Sequence, residues 1–212
     1  KVAEQVFGTK GSQTVISGLI MIGCLGWFGI QANVCGEAFV SFLKVFGVTI
    51  PTSLSSLLWG LIMVTTAIYG IRVIRYLTYI AVPYLVIVCL YGLYQALTTV
   101  SVSELVAYQP SSTLSLGTGL TVTLGSFAIG AVIAGDYSQY SPRRQDVVKA
   151  AIFGVIPAGV LMIGVGAVLT IVYHNANISG VFSKIGSPAV GVLALVLGTW
   201  KVNVINAFSG GI

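Results

Sequence analysis

The chain has 212 residues, of which 56% are apolar and 7% charged, with ten Lys and Arg against five Asp and Glu. Because soluble domains carry about 25% charged residues, this composition argues against a soluble enzyme, a secreted disulfide module and a nucleic-acid-binding domain. The mean hydropathy of +0.99 and the length of the apolar runs predict an all-α, polytopic protein of the lipid bilayer. An outer-membrane barrel, with strands of roughly ten residues, does not fit.

Six apolar segments follow one another, and each can cross a hydrocarbon core that needs about 20 helical residues. We predict transmembrane helices over residues 14–43, 54–71, 76–97, 114–135, 147–173 and 188–212. The stretch 100–113 is the longest external connection, and it is predicted to hold a short interfacial helix. No linker is long enough to separate soluble domains, so residues 1–212 are expected to form one membrane domain.

The basic residues predict the orientation of these segments. Connections on one side of the membrane hold seven of them: Lys1, Lys10, Arg72, Arg75, Arg143, Arg144 and Lys149. The opposite side holds only Lys44 and Lys184. The positive-inside rule places the seven-charge side in the cytoplasm. We therefore expect a multi-pass protein of the inner or plasma membrane whose N-terminal end is cytoplasmic.

Polar side chains at bilayer depth are the candidate functional residues, because they cost free energy there. In the first segment, Trp27 and Gln31 are four residues apart and share a helix face. A flat indole beside an amide would suit a planar heterocycle with hydrogen-bonding edges. A packed tryptophan with an interhelical amide hydrogen bond is the alternative.

The fourth segment places Ser126 and Phe127 within a series of glycines at positions 117, 119, 125, 130 and 135. Transporters commonly break helices near mid-membrane to expose backbone polar groups to substrate, and such a break is one interpretation. Glycines at helix–helix contacts are the other.

The sixth segment carries Lys201 near mid-membrane, where insertion of a lysine costs about 3 kcal/mol. Asn203 and Asn206 follow on a shared face. A direct ion pair with Glu37 is not expected, because Glu37 lies near the outer interface. Trp200 precedes Asn206 by six residues, which repeats a spacing of the oppositely directed first segment, as an inverted repeat would.

No catalytic or metal-binding constellation stands out. The three cysteines lie within apolar runs without metal-ligand or redox spacing, and the single histidine lies at the outer end of the fifth segment. We therefore expect no enzymatic activity, no metal and no cofactor, and no protein partner is evident.

Four stretches resemble the nucleobase–cation symporter-1 family, which includes cytosine, purine and allantoin permeases and a bacterial hydantoin transporter. They are residues 7–12 (FGTKGS), 26–31 (GWFGIQ), 125–140 with its GSF and GDYSQY, and 200–203 (WKVN). The resemblance implies a leucine-transporter-type inverted-repeat fold. The chain would supply six transmembrane helices, numbers three to eight of twelve, as a fragment of a longer parent.

The resemblance also implies roles for the polar residues. Trp27 would stack on the substrate ring and Gln31 would bond its polar edge. Ser126 and Phe127 would contribute from helix six, with Phe127 as the second aromatic face. Asn203 or Asn206 would complete the substrate site from helix eight. The resemblance also implies that cytosine permeases have a glutamine donor at the position of Cys24. Its replacement by cysteine makes this chain more similar to the hydantoin-type arrangement, in which Gln31 is the donor.

The departure from the family lies at the cation site. Sodium-coupled members carry small hydroxyl residues directly after the helix-eight tryptophan, whereas this chain has Lys201 and Val202. Our hypothesis is that the Lys201 ammonium replaces sodium, with H⁺ rather than Na⁺ as the coupling ion, or that transport is sodium-independent. The alternative is that Lys201 has no role in coupling and simply extends its ammonium towards water.

These observations predict a secondary transporter that imports a planar nucleobase, such as cytosine or a purine, by alternating access. An allantoin or hydantoin (ureide) permease of the same family is the alternative substrate class, and a sodium-coupled symporter the alternative mechanism. The expected partners are the small-molecule substrate and the lipid bilayer.

Overall fold

The computed structural model describes residues 2–110 and 112–211, and the side chains of all of these except residues 2, 3, 71, 129, 136 and 137. Lys1, counted above for the orientation, and the final residue of the sixth predicted segment lie outside the described residues. Within this range the chain forms ten α-helices: α1 Val2–Gly11, α2 Ser17–Val45, α3 Thr52–Ile68, α4 Ile71–Thr99, α5 Val102–Val106, α6 Leu116–Ser138, α7 Arg144–Ala150, α8 Ile156–Tyr173, α9 Ile178–Lys184 and α10 Pro188–Gly210. Two π-helical turns, Ser12–Ile16 and Ala151–Val155, join α1 to α2 and α7 to α8.

Five helical runs of the described chain are long and apolar enough to cross a membrane: Glu4–Val45, Arg72–Thr99, Leu116–Gly135, Arg144–Tyr173 and Pro188–Gly210. They confirm the first, third, fourth, fifth and sixth predicted segments. The second predicted segment is a helix, α3, but its 17 residues fall short of that length. Pro51 fixes an extended backbone before it, and Gly70, with φ 73°, directs the chain into α4.

The path of α3 still follows the length of α2 in the opposite direction. The Ser55 hydroxyl donates to the Gly36 carbonyl at 3.0 Å, and Gly60 further along α3 lies beside Phe28 and Ala32. At a rise of 1.5 Å per residue, α3 covers about 26 Å, near the lower end of the lengths that span a bilayer.

The predicted short helix between the third and fourth segments is confirmed as α5. Its start is fixed by a reciprocal cap in which the Ser101 hydroxyl accepts from the Glu104 backbone N–H at 3.3 Å. The Glu104 carboxylate accepts from the Ser101 backbone N–H at 2.9 Å. This capping box satisfies donors that the first turn of a helix leaves unpaired.

The core lies around α10, where 39% of the apolar window is buried against 6% in α6. One buried cluster joins α10 to α2, α3 and α4 through Cys35, Ala38, Met63, Ala67, Ile74, Val192, Val196 and Val204. A second joins α10 to α4, α8 and α9 through Val88, Cys89, Ala96, Val165, Leu169, Val181, Phe182 and Ala194. By contrast, α6 packs against α2 and leaves most of its apolar side chains exposed.

The crossing of α2 and α3 depends on Gly36. A Cβ atom there would lie 2.7 Å from the backbone nitrogen of Ser56 and 2.8 Å from its Cα. The two backbones therefore approach more closely than any side chain allows, which is how small residues act at helix contacts in membranes.

We expect Gly36→Ala to destabilise the protein by about 1–3 kcal/mol, because the added methyl group must push α3 away from α2. Thermal unfolding of the complete gene product in detergent measures the loss. The matched control is Gly164→Ala on α8, where no described atom lies within 4 Å of the added Cβ. Equal unfolding temperatures for the two variants would contradict the close crossing.

Candidate functional site

A cavity of about 370 Å³ lies between α2, α6 and α10. Its volume falls within the range of about 300–1,000 Å³ that is usual for small-molecule sites. Of the seven side chains singled out from the sequence, six line it: Trp27, Gln31, Ser126, Phe127, Lys201 and Asn206. Residues more than 170 positions apart in the chain thus face one space.

The α2 wall of this cavity is formed by Trp27 and Gln31, which lie one helical turn apart and are both half-buried. The Gln31 amide makes no hydrogen bond with any described residue. Its donors and acceptor are therefore available to a ligand. An indole face next to an unbonded amide can hold a flat ring by stacking and read its edge by hydrogen bonds.

The α6 wall carries Ser126 and Phe127 on an uninterrupted helix. The break considered from the glycine series does not occur, since α6 is one helix over its described length. A glycine costs roughly 1 kcal/mol in a helix, which is less than the cost of unpaired backbone groups in lipid. The Ser126 hydroxyl donates to the Thr123 carbonyl at 2.8 Å. The Phe127 side chain is 61% exposed, so most of its ring remains open.

The two asparagines of α10 have different surroundings. Asn203 is fully buried, and its amide nitrogen donates to the Phe28 carbonyl at 2.9 Å and contacts the Met63 sulfur at 3.2 Å. This side chain ties α10 to α2 and α3 and does not line the cavity. Asn206 does line it, and its amide nitrogen donates to Asn203 Oδ1 at 3.3 Å. One asparagine reaches the cavity while the other holds it in place.

Lys201 is half-buried at the cavity wall. Its ammonium forms no hydrogen bond or ion pair with any residue whose side chain is described. Glu37 is not its partner, as expected: that carboxylate accepts a hydrogen bond from the Asn33 amide at 2.8 Å. The Asp136 side chain, the other acid considered from the sequence, lies outside the description. The cavity thus presents a single cationic group among aromatic and amide side chains.

Four further lining residues were not predicted to belong to the site: Gly130, Ile133, Val202 and Ile205, of which Gly130 and Val202 were noted from the sequence for other reasons. They follow the helical period of the residues that were found, since Gly130 is four positions after Ser126 and Val202 four before Asn206. Apolar residues and glycine carry no chemical signal of their own. Periodicity drawn from the polar candidates would have found them.

The arrangement is suited to binding. No group of three or more His, Cys, Asp or Glu side chains that could hold a metal ion occurs among the described residues. Stacking faces, amides and one ammonium can recognise a small polar ring, and they make up the kind of site that helical membrane transporters build between their helices.

A polytopic, all-helical membrane protein with a small-molecule cavity between its helices has the architecture of a permease. A sequence model described as "Permease for cytosine/purines, uracil, thiamine, allantoin" matches residues 3–210. The chain belongs to this permease family, which confirms the resemblance to the nucleobase–cation symporters.

Curated relatives agree with the family assignment. The chain is 26% identical over 210 residues to the cytosine permeases of Escherichia coli strain K12, Escherichia coli O6:H1 and Escherichia coli O157:H7. Each match covers 97% of this chain and 48% of the relative. The chain therefore spans about half the length of the curated relatives it matches.

Proposed function

We propose that residues 1–212 form a transmembrane transport domain of a secondary transporter that imports a planar nucleobase, such as cytosine or a purine. The observation that carries this proposal is the cavity lined by Trp27, Phe127 and the Gln31 amide, which bonds none of the described residues. The family and the cytosine permease relatives support the same class of substrate.

The aromatic, amide and hydroxyl side chains at this site have separate roles in the proposal. Trp27 stacks on one face of the base, and Phe127 covers the other. The Gln31 amide forms hydrogen bonds with the polar edge of the ring. A substrate whose donors and acceptors do not match would leave this amide unpaired and would bind more weakly. Asn206 and the Ser126 hydroxyl contribute further polar contacts, and Asn203 is a positioning residue that acts through Asn206.

We further propose the leucine-transporter-type inverted repeat, with alternating access. Two observations support it. Gly210 lies beside Cys24 and Asn203 bonds the backbone of Phe28, so α2 and α10 run antiparallel. Both helices also share the six-residue spacing from tryptophan to asparagine. Oppositely directed helices that face one site are what inverted repeats produce. The N-terminal end of the chain lies in the cytoplasm in this arrangement.

Lys201 is the proposed coupling residue. Its ammonium takes the place of a sodium ion, so that transport is coupled to protons or is independent of sodium. The absence of an ion pair with the described residues supports this role, because no described carboxylate holds the lysine in its charged form and opposes the release of its proton. A sodium-coupled symporter is the alternative.

An allantoin or hydantoin permease is the second candidate function. Cys24 is buried and does not line the cavity, so the α2 wall offers one amide, Gln31. A single amide on this wall can pair with the imide edge of a hydantoin or allantoin ring as well as with the polar edge of cytosine.

The test is uptake of a labelled panel of cytosine, uracil, purines, allantoin and hydantoins by cells that express the complete gene product. We expect saturable uptake of one ring class, faster at acidic than at neutral pH and equal in sodium and choline buffers. Uptake that requires sodium would contradict the coupling proposal alone. Absence of uptake for every compound, with the protein present in the membrane, would contradict the substrate class.

A further inference from the structure

A second cavity, of about 310 Å³, lies between α4, α10 and the connection that follows α6. Its lining includes two cationic side chains, Arg75 and Lys201, and three hydroxyl groups, those of Thr78, Tyr79 and Tyr140. The sequence analysis treats Arg75 only as a topology signal, and no role is assigned above to this group of side chains.

The cationic wall follows from local geometry. Arg75, Thr78 and Tyr79 share one face of α4, because residues three and four apart are neighbours on a helix. Lys201 belongs to both cavities and separates this space from the proposed substrate site. The connection after α6 adds Tyr140 from the same end of the molecule as the start of α4.

Neither cation has a counter-charge among the described side chains, which do not include that of Asp136. Neither Arg75 nor Lys201 forms an ion pair or hydrogen bond with any described side chain or backbone group. The hydroxyls of Tyr79 and Tyr140 are likewise unbonded within the described chain. Thr78 donates to the Ile74 carbonyl at 2.8 Å and offers no donor to the cavity. The space therefore contains two like charges and two hydroxyl donors.

Arg75 is exposed at the mouth of this space and Lys201 is half-buried, so water screens part, but not all, of the repulsion between the two cations. An anion between them would remove that repulsion and accept from both tyrosine hydroxyls as well. We propose that this cavity binds a small anion, of the size of chloride or a carboxylate, between the Arg75 guanidinium and the Lys201 ammonium.

The anion has two possible sources. It is either a free inorganic ion, or the carboxylate of a transported ring whose body extends past Lys201 from the first cavity. The second source rests on the proposed transport function, whereas the first does not. Either source would place negative charge beside the proposed coupling residue.

The test is thermal unfolding of the complete gene product in detergent, with chloride titrated against the bulky anion lactobionate at constant ionic strength. Ligands that bind the folded state raise the unfolding temperature in a saturable way. We expect Arg75→Gln to increase the half-saturating chloride concentration about tenfold or more, because it removes a charge-assisted hydrogen bond. Arg72→Gln is the matched control, since it removes the same charge from the same end of α4 without lining the cavity.

A second pair of ligands separates the two sources. Uracil and uracil-6-carboxylate differ by one carboxylate. A larger rise in unfolding temperature with uracil-6-carboxylate than with uracil, if Arg75→Gln abolishes the difference, identifies the substrate carboxylate as the anion. A saturable chloride effect with no preference for the acid identifies the free ion. Either result supports the anion site. Should Arg75→Gln fail to fold, Tyr140→Phe replaces it, and we expect a threefold or greater weakening, on the order of one lost hydrogen bond.

The proposal is overturned if chloride and lactobionate act alike and the acid binds no better than the neutral base. It is also overturned if Arg72→Gln and Arg75→Gln respond equally. Stabilisation by neutral bases in the same assay reports on the proposed nucleobase site. If neutral bases do not stabilise the protein while chloride does, the proposed function is contradicted and the proposed anion site is still supported.

Discussion

Replacing Trp27 with alanine is expected to weaken nucleobase binding roughly 10- to 100-fold, because stacking of a base on an aromatic ring contributes about 1–3 kcal/mol. Trp27 lines the cavity on the same helix face as Gln31, so its indole offers a flat surface one helical turn from the Gln31 amide. The measurement is the dissociation constant of the transported base for the purified complete gene product. Trp27→Phe retains a smaller ring and should lose only part of the affinity.

A matched control is available in Trp59→Phe. Trp59 packs edge-to-face on Phe39 and on Trp200, with ring centroids 5.5 Å and 5.9 Å apart, and lies outside the cavity. It should lower the unfolding temperature while leaving the dissociation constant within about twofold, since packing and binding are separate here. Equal effects of Trp27→Phe and Trp59→Phe on binding would remove Trp27 from the site.

Long apolar runs predict helices reliably, because a bilayer leaves the backbone few other ways to satisfy its hydrogen bonds. Five of the six predicted spans agree with the structure on that basis. The predicted bounds of the second segment, 54–71, are shifted by two or three residues from those of α3, Thr52–Ile68, because the ends of α3 are set by Pro51 and Gly70 rather than by polarity. Hydropathy also missed the helical start of the chain, since α1 and the π-turn contain the polar residues that precede the first apolar run.

The polar residues of the candidate site could be predicted from the sequence, because polar residues are rare in these helices. A polar side chain at depth has a high cost, so Gln31, Lys201 and Asn206 stand out. The spacing of the asparagines in the sequence does not show which way each side chain points from α10. Asn203 and Asn206 are three positions apart, yet one turns into the helix contacts and the other towards the cavity.

The second cavity could not be predicted from the sequence either, because its lining comes from separate elements of the chain. Arg75 and Tyr140 line one cavity because α4 and the connection after α6 lie on the same side of α10. No periodicity within one helix reports such an approach. Arg75 was therefore assigned to topology alone, although one side chain can serve both the orientation of the chain and a local site.

Replacing Lys201 with arginine is expected to abolish the dependence of uptake on external pH while the protein stays folded and binds its base. Arginine keeps a positive charge at all accessible pH values, so it cannot pass a proton, whereas lysine can. If Lys201 is the coupling group, wild-type uptake should rise at acidic pH by up to about tenfold per pH unit. The measurement is the initial rate of uptake across a series of external pH values in sodium-free buffer.

Lys201→Ser and Lys44→Ser complete this experiment. Serine at 201 places a hydroxyl directly after the tryptophan, which is the residue type that the family resemblance implies for sodium-coupled members, so uptake should lose its pH dependence and gain a dependence on sodium. Lys44 lies exposed in the last turn of α2, away from both cavities, and its substitution removes the same charge. A pH profile that is unchanged in both Lys201 variants would show that the proton travels elsewhere. Loss of the pH profile in Lys44→Ser would show that the profile follows net charge rather than the cavity, because Lys201 lines the cavity and Lys44 does not.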